Sequence, residues 1–244
     1  MNIIAGTRYR TVVGKLFVML LLLTSCSKLV SISDPDDRIV TNVAFSTDNL
    51  ATAAVNGIYN NMMFENGFSR GAATLYGGLS SDELIAFYGP DDPYYTISTN
   101  HISLIGGQGS GSSALTDNIW SSAYGVIYTA NAVIEGIAAS ASSQLHDNVR
   151  TALTAEARCI RAFCYFYLTN YYGDVPLVLT TDYNAAITLP RAAQADIYQQ
   201  IIQDLKEAQS SLPGDYAAGK DRRVRVNKWV ATALLARVYL FTGD

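Results

Sequence analysis

The sequence predicts a mostly α fold made of helical hairpins of tetratricopeptide size, joined by long irregular loops. Apolar residues recur at helical spacing in four long segments that begin near residues 117, 148, 191 and 227. Those starts suit paired antiparallel helices, although their spacing is too uneven to establish a repeat. Residues 65–116, by contrast, are rich in glycine and proline and form the least regular part of the chain.

Composition and charge narrow the possible functions. The 244 residues carry a net charge of −4, and without residues 1–25 they hold 14 bases against 21 acids, or −7. Nucleic acid is therefore not an expected partner. His101 and His146 are isolated and lack metal-ligand spacing, and adjacent acids such as Asp82 and Glu83 diverge rather than converge on a sugar. The sequence predicts neither an enzyme nor a cofactor or metal site.

Residues 1–25 have the pattern of a lipoprotein signal peptide. Three bases precede eight apolar residues at 16–23, which as a helix span about 12 Å, far less than a bilayer core of about 30 Å. The motif Leu-Thr-Ser-Cys ending at Cys26 is typical of a bacterial lipobox, in which the thiol accepts the acyl chain, such as palmitate. We predict lipid attachment at Cys26. An ordinary secretory signal with an incidental cysteine is the alternative.

A polar tether at 26–45, which contains acids and Pro35, is predicted before a helical domain at 46–244. Ser46 or Thr47 is expected to cap the first helix, which runs to about Phe64. Gly57 inside that helix is expected to mark close packing, because glycine weakens a helix.

Four aromatic residues lie in the Pro- and Asp-rich loop that follows: Phe87, Tyr88, Tyr94 and Tyr95. Exposed rings can stack on the C–H faces of sugars, which favours a glycan-binding platform. The same rings could instead plug the gap beneath a long loop. The nearby glycine run at 106–113 lacks the lysine of a phosphate loop, so a flexible surface loop is expected there.

The segment from Ala155 to Pro176 is predicted to be the central helix and its stop. It is apolar on nearly all sides, Gly173 is expected to end it in the left-handed conformation, and Pro176 prevents its resumption. Cys159 and Cys164 lie about 140° apart on this helix and are expected to be buried thiols. The basic run at 220–228 is expected to be a solvated turn before a helix capped by Asn227.

The same region resembles the SusD/RagB family of Bacteroidota nutrient-uptake lipoproteins. The signature comprises Glu156-Ala157, Arg161-Ala162, Tyr165-Phe166 and Tyr172 to Pro176. The preceding helix agrees at Trp120, Tyr124, Ile127, Ala130-Asn131 and Ile134, and the following helices agree at Arg191, Ile197-Tyr198, Asp204-Leu205, Leu212-Pro213 and the run from Ala231 to Leu240.

This resemblance implies a tetratricopeptide-like helical-repeat array and a surface-exposed protein, anchored by lipid at the cell outer membrane. It implies capture of a glycan or oligosaccharide for a TonB-dependent outer-membrane transporter, the SusC-like partner. Peptide capture, or a helical scaffold without a small ligand, is the alternative. The family fixes no ligand residues at the aromatic loop. Its members continue for about as much chain again, so the sequence is expected to be an incomplete domain that lacks the family's C-terminal half and leaves its last helices partly uncovered.

Overall fold

The structure, a computed structural model, describes residues 41–63, 68–87, 89–102 and 111–243. Most of these residues are helical, which confirms the predicted fold class. The helices are α1 (Thr41–Ala44), α2 (Asp48–Met63), α3 (Ala72–Ser80), α4 (Pro93–Ser98), α5 (Gly111–Ala139), α6 (Asp147–Tyr172), α7 (Tyr183–Ala186), α8 (Gln194–Ser211) and α9 (Lys228–Thr242). Short 3-10 turns lie at Phe68–Arg70 and Ala217–Gly219.

Helix α6 is the centre of the array, as its sequence predicted. It packs against α5 on one side and α8 on the other, and α9 packs against α8. Alanines at 155, 157 and 162 are buried and allow close helix approach, while Tyr165 fills the space between helices with its ring fully buried. The thiols of Cys159 and Cys164 are free and buried, as expected, and burial raises the pKa of Cys159 to about 12.

Several element boundaries differ from those that the sequence predicted. Helix α5 begins at Gly111 rather than Asp117, so part of the predicted glycine loop is helical, while residues 103–110 lie outside the described part. Helix α8 begins at Gln194, because the preceding Arg191–Ala192 (β2) pairs antiparallel with Val175–Pro176 (β1). The region expected to be least regular contains α3 and α4. The apolar periodicity of the sequence did not predict these helices, because both are short and rich in glycine or aromatic residues.

Side-chain caps mark the starts of α2 and α9, whereas α6 and α8 begin without one. Thr47 accepts a hydrogen bond from the Leu50 amide at 3.3 Å, and Asn227 accepts from the Trp229 and Val230 amides. Gly173 ends α6 with φ 70°, which confirms the need for glycine, but its ψ of −126° lies outside the predicted left-handed helical region.

A buried ionic network joins α5, α6 and α8. The Arg161 guanidinium donates to both Asp204 carboxylate oxygens, at 2.9 and 2.7 Å, and to the Asn131 side-chain oxygen at 2.8 Å. Asn131 in turn donates to the Val178 carbonyl at 3.0 Å. The Arg161 and Asp204 side chains are 7% and 2% exposed, so this bidentate pair lies in a medium that screens charge weakly. The network fixes the helix register and the chain that leaves α6.

A second ionic cluster corrects the prediction for the basic run. Arg225 is not solvated: its guanidinium donates to the two Glu156 oxygens at 2.9 and 2.6 Å, and its side chain is 12% exposed. The Tyr59 hydroxyl donates to the same carboxylate and accepts from the Val226 amide. The turn before α9 is therefore attached to α2 and α6.

Gly57 does not mark close packing, contrary to the expectation, since a Cβ there would meet nothing within 4 Å. We expect Gly57→Ala to raise the free energy of unfolding by about 0.5–1 kcal/mol, because alanine loses less backbone entropy in a helix interior. Urea denaturation at constant pH measures the change. Gly136→Ala is the matched control: its Cβ would overlap the Phe45 ring, so that variant should be destabilised. A destabilised Gly57→Ala would contradict the packing seen here.

In the part of the chain that the structure describes, no helix combines the length and apolar character needed to cross a bilayer. Helix α5 has 29 residues, yet its outer face includes polar side chains such as Asp117 and Ser121.

Candidate functional site

The four aromatic residues predicted from the sequence do not share one environment. Phe87 is 92% exposed at the end of an irregular segment. Tyr94 and Tyr95 lie in the first turn of α4, where Asp92 caps the helix by accepting from the Tyr94 amide at 2.8 Å and Pro93 occupies the first helical position. Tyr88 lies outside the described residues, as does Cys26.

Tyr94 links the loop to the body of the protein. Its ring lies 6.1 Å from the ring of Tyr76 on α3, centroid to centroid, and Tyr94 is 36% exposed whereas Tyr76 is 6% exposed. Tyr94 packs at the edge of the core, as rings beneath a loop would, whereas Phe87 faces solvent. We define Phe87, Tyr94 and Tyr95 as the aromatic edge.

Next to Tyr94, through its ring contact with Tyr76, is a cavity of about 460 Å³ with walls from α3, α4, α5 and α6. We call it the tyrosine cavity. Its lining combines tyrosines, isoleucines and a few neutral polar residues: Tyr76, Tyr171, Tyr172, Ile97, Ile102, Ile119, Ser80, Thr116 and Asn170. Each of these lining residues, all from the described part of the chain, is uncharged.

The tyrosines at the end of α6 are held by backbone acceptors. The Tyr171 hydroxyl donates to the Ala73 carbonyl, and the Tyr172 hydroxyl donates to the Thr116 carbonyl at 2.6 Å. A Cβ on Gly77 would lie 2.7 Å from the Tyr171 hydroxyl oxygen, so α3 needs glycine where this ring crosses it. These contacts fix the walls of the cavity before any ligand arrives.

The cavity phenols are neutral at physiological pH, as free tyrosine already is, and burial raises their pKa further. It raises the pKa of Tyr172 to about 12, with a smaller contribution from Asp117, and raises the pKa of Tyr76, with a smaller contribution from the neighbouring Tyr94. A neutral phenol both donates and accepts a hydrogen bond. The cavity therefore suits neutral ligand groups better than ions.

Residues Tyr76, Tyr171 and Tyr172 were not predicted as site residues. Periodicity places Tyr171 on an apolar helix face, but it cannot show that part of this face borders a cavity. The contact that closes the site joins Tyr171 to Ala73, 98 positions away, and no local pattern in the sequence reports such a pairing.

A second groove, of about 370 Å³, runs beside α6 between the ends of α5 and α8. Its two arginines already have structural partners. Arg150 donates to the carbonyls of Ile137, Ser140, Ser142 and Leu145, and Arg158 pairs with Glu207. The charged side chains of this groove are therefore used in intramolecular contacts rather than left for a ligand.

Titratable side chains do not form a metal centre in residues 41–63, 68–87, 89–102 and 111–243, where no group of three histidine, cysteine or acidic residues lies close enough to hold an ion. His146 Nδ1 lies 2.7 Å from a carboxylate oxygen of Asp48, and its amide donates to the other oxygen at 2.8 Å. That pair connects the start of α2 to the start of α6.

Comparison with solved structures places this architecture among known proteins. A laminarin-binding SusD-like protein superposes with a TM-score of 0.68 and 25% identity, over 82% of this chain and 41% of that one. A SusD-like carbohydrate-binding protein from Bacteroides fragilis superposes with a TM-score of 0.63 and 25% identity, over 82% of this chain and 38% of that one. The tetratricopeptide-like helical array predicted from the sequence is confirmed.

Sequence comparison gives the same result. A SusD-like protein of Bacteroides ovatus is 27% identical over 223 residues, which cover 90% of this chain and 37% of the relative. SusD-like protein P2 of Formosa agariphila is 29% identical over 234 residues, 93% of this chain and 42% of the relative. The chain thus spans about two fifths of the length of these curated relatives. The model of one SusD-like family, described as starch-binding and associating with the outer membrane, matches residues 94–240, which is more than half of the sequence, and the chain belongs to that family.

Proposed function

We propose that this chain is part of a glycan-capture lipoprotein of the outer membrane, which binds an oligosaccharide at its surface and delivers it to a TonB-dependent transporter of the SusC-like kind. Capture requires no bond to be broken, so the proposal assigns no catalytic residue. Membership of a family described as starch-binding and associating with the outer membrane supports the ligand class and the location. The laminarin-binding relative among the solved structures also supports a glycan ligand.

The observation that carries the proposal is the aromatic edge. Phe87 presents nearly its whole side chain to solvent, and Tyr94 stays partly exposed while resting on buried Tyr76. The C–H faces of a sugar gain dispersion and hydrophobic contact on such rings, and a tyrosine hydroxyl adds a hydrogen bond. A ligand that covers such a ring removes its apolar surface from water, which contributes to the affinity.

We expect Phe87→Ala and Tyr94→Ala each to weaken binding of laminarin by about 10-fold, which corresponds to about 1.4 kcal/mol, because each removes one stacking surface. Isothermal titration calorimetry on the purified chain measures the dissociation constants. Tyr183→Ala is the matched control, since Tyr183 is 71% exposed on α7, a different element from those that carry the aromatic edge. If laminarin binds equally well to all three variants, the aromatic edge is not the glycan site.

The test also separates the remaining ligand classes. If the chain binds peptides but neither laminarin nor other glycans, the captured ligand is a peptide rather than a glycan. A chain that binds neither, with no ligand-induced rise in melting temperature, would indicate a scaffold.

Anchoring is proposed to occur through an acylated Cys26. We expect Cys26→Ala to move the protein from the membrane fraction to the soluble fraction of the expressing cell, because a short apolar stretch cannot hold it in a bilayer. Phase partitioning in detergent and the intact mass of the extracted protein measure this. Cys159→Ala removes a buried thiol and should leave the partitioning unchanged. A Cys26→Ala protein that still enters the detergent phase would contradict lipid attachment at this residue.

A further inference from the structure

We propose that the tyrosine cavity is a binding site for a neutral, single-ring aromatic group, such as a phenol or a phenyl substituent carried on a larger ligand. This site is additional to the proposed glycan surface. It adjoins the aromatic edge through the Tyr94–Tyr76 ring contact, but its lining residues come from α3, α4, α5, α6 and Ile102 after α4.

The size of the cavity fits one ring and a linking group. Its volume is about 460 Å³, whereas apolar cavities of about 150 Å³ already admit benzene. Small-molecule sites fall at about 300–1,000 Å³, so the space lies within that range.

The chemistry of the lining selects an uncharged and apolar group. Ile97, Ile102 and Ile119 supply aliphatic surface, and the tyrosines supply ring faces and edges. An ion entering this space would lose its hydration with no countercharge among the lining residues. A bare sugar would face more apolar atoms than hydroxyl partners, whereas an aromatic ring gains edge-to-face contacts with tyrosine.

The walls are already held in place for such a ligand. Asn170 donates to the Phe166 carbonyl at 2.6 Å and accepts from the Tyr198 hydroxyl at 3.2 Å, while the Tyr172 ring meets the Trp120 ring edge-on at 5.1 Å. Because these side chains are already ordered, they lose little conformational freedom when a ligand binds, which favours affinity for a small ligand. Tyr76 and Ser80 contribute neutral hydroxyls that can bond a phenolic oxygen.

Ligand-observed NMR with p-cresol on the purified 244-residue chain tests the inference, with cyclohexanol as the non-aromatic comparison. We expect saturable p-cresol binding with a dissociation constant on the order of 1 mM, as suits a ligand of eight heavy atoms, and at least about 3-fold weaker binding of cyclohexanol. Absence of saturable p-cresol binding, or equal affinity for both probes, would overturn the inference.

Two blocking variants locate the site. Ile102→Trp fills the half-buried end of the cavity, and Ser80→Trp adds a ring at the exposed end of α3. Each should weaken p-cresol binding by about 10-fold or more, whereas Ile187→Trp, at a 62% exposed position outside the cavity, should not. Unchanged binding in a blocking variant that melts like the parent would place p-cresol elsewhere and overturn the inference.

The outcome is independent of the glycan proposal. Phe87→Ala should lower laminarin affinity and leave p-cresol affinity unchanged, since Phe87 does not line the cavity. Retained laminarin binding without p-cresol binding rejects this inference alone, and retained p-cresol binding without laminarin binding rejects the glycan surface alone.

Discussion

Arg161→Leu should lower the free energy of unfolding by about 3–5 kcal/mol, the largest effect expected of any single substitution considered for this protein. The variant leaves the Asp204 carboxylate, 2% exposed, without the guanidinium that donates to both its oxygens. It also removes the donor that orients Asn131 toward the chain after α6. Urea denaturation followed by circular dichroism measures the loss.

The same helix supplies a matched control. Arg158 lies one turn before Arg161 and also pairs with an acid of α8, Glu207, but these two side chains are 32% and 37% exposed. Solvent screens such a pair, so Arg158→Leu should cost less than about 1 kcal/mol. Equal losses at the two positions would show that burial does not decide the contribution of these ion pairs.

A double variant separates the net contribution of the Arg161–Asp204 pair to stability from the penalty of leaving Asp204 buried and unpaired. Replacing both Arg161 and Asp204 by leucine removes the uncompensated charge, and replacing a buried ion pair by apolar side chains is often close to neutral. We therefore expect Arg161→Leu/Asp204→Leu to be more stable than Arg161→Leu alone. A double variant that is less stable would instead indicate that the hydrogen bond from Gln200 to Asp204, which only the double variant loses, dominates.

Arg225→Met should lower the free energy of unfolding by about 3 kcal/mol, the second-largest effect. Methionine keeps much of the stem volume but leaves Glu156, 3% exposed, without its bidentate partner. The turn before α9 should then loosen, because Tyr59 and Glu156 together hold its backbone at Val226. Urea denaturation measures the loss of stability, and hydrogen exchange at the Val226 amide measures the loosening of the turn.

Arg222→Met is the control from the same basic run. Arg222 is exposed, and substitutions at such surface positions usually change stability by less than about 0.5 kcal/mol. If Arg225→Met were as mild as Arg222→Met, the Glu156 carboxylate would not depend on this guanidinium, and the basic run would behave as the solvated turn that its composition suggests.

These two ionic clusters stabilise the walls of the tyrosine cavity indirectly. They fix α6 against α5, α8 and the turn before α9, and α6 ends in the two tyrosines that wall the cavity. Because Tyr171 and Tyr172 reach backbone carbonyls near the start of α3 and within α5, the cavity keeps its shape only while those helices keep their register.

The positions of the long helices, and several of their ends, follow from local sequence signals. Apolar periodicity marked α6 as central, and Asn227 and Gly173 marked a start and a stop, since these signals act over only a few residues. The sequence also identified four aromatic residues in a loop but left open whether they are exposed or packed beneath it; Phe87 proves to be exposed.

The pairing of polar groups and the position of the cavity, by contrast, follow from tertiary contacts. Arg225 reads as part of a solvated basic run, yet it meets Glu156, 69 positions earlier in the chain. Periodicity predicts Tyr171 to be a core residue, yet together with Tyr76 it lines the tyrosine cavity. Helix propensity and capping depend on neighbours in sequence, whereas burial, ion pairing and cavity shape depend on contacts between segments far apart, and these exist only once the helices have packed.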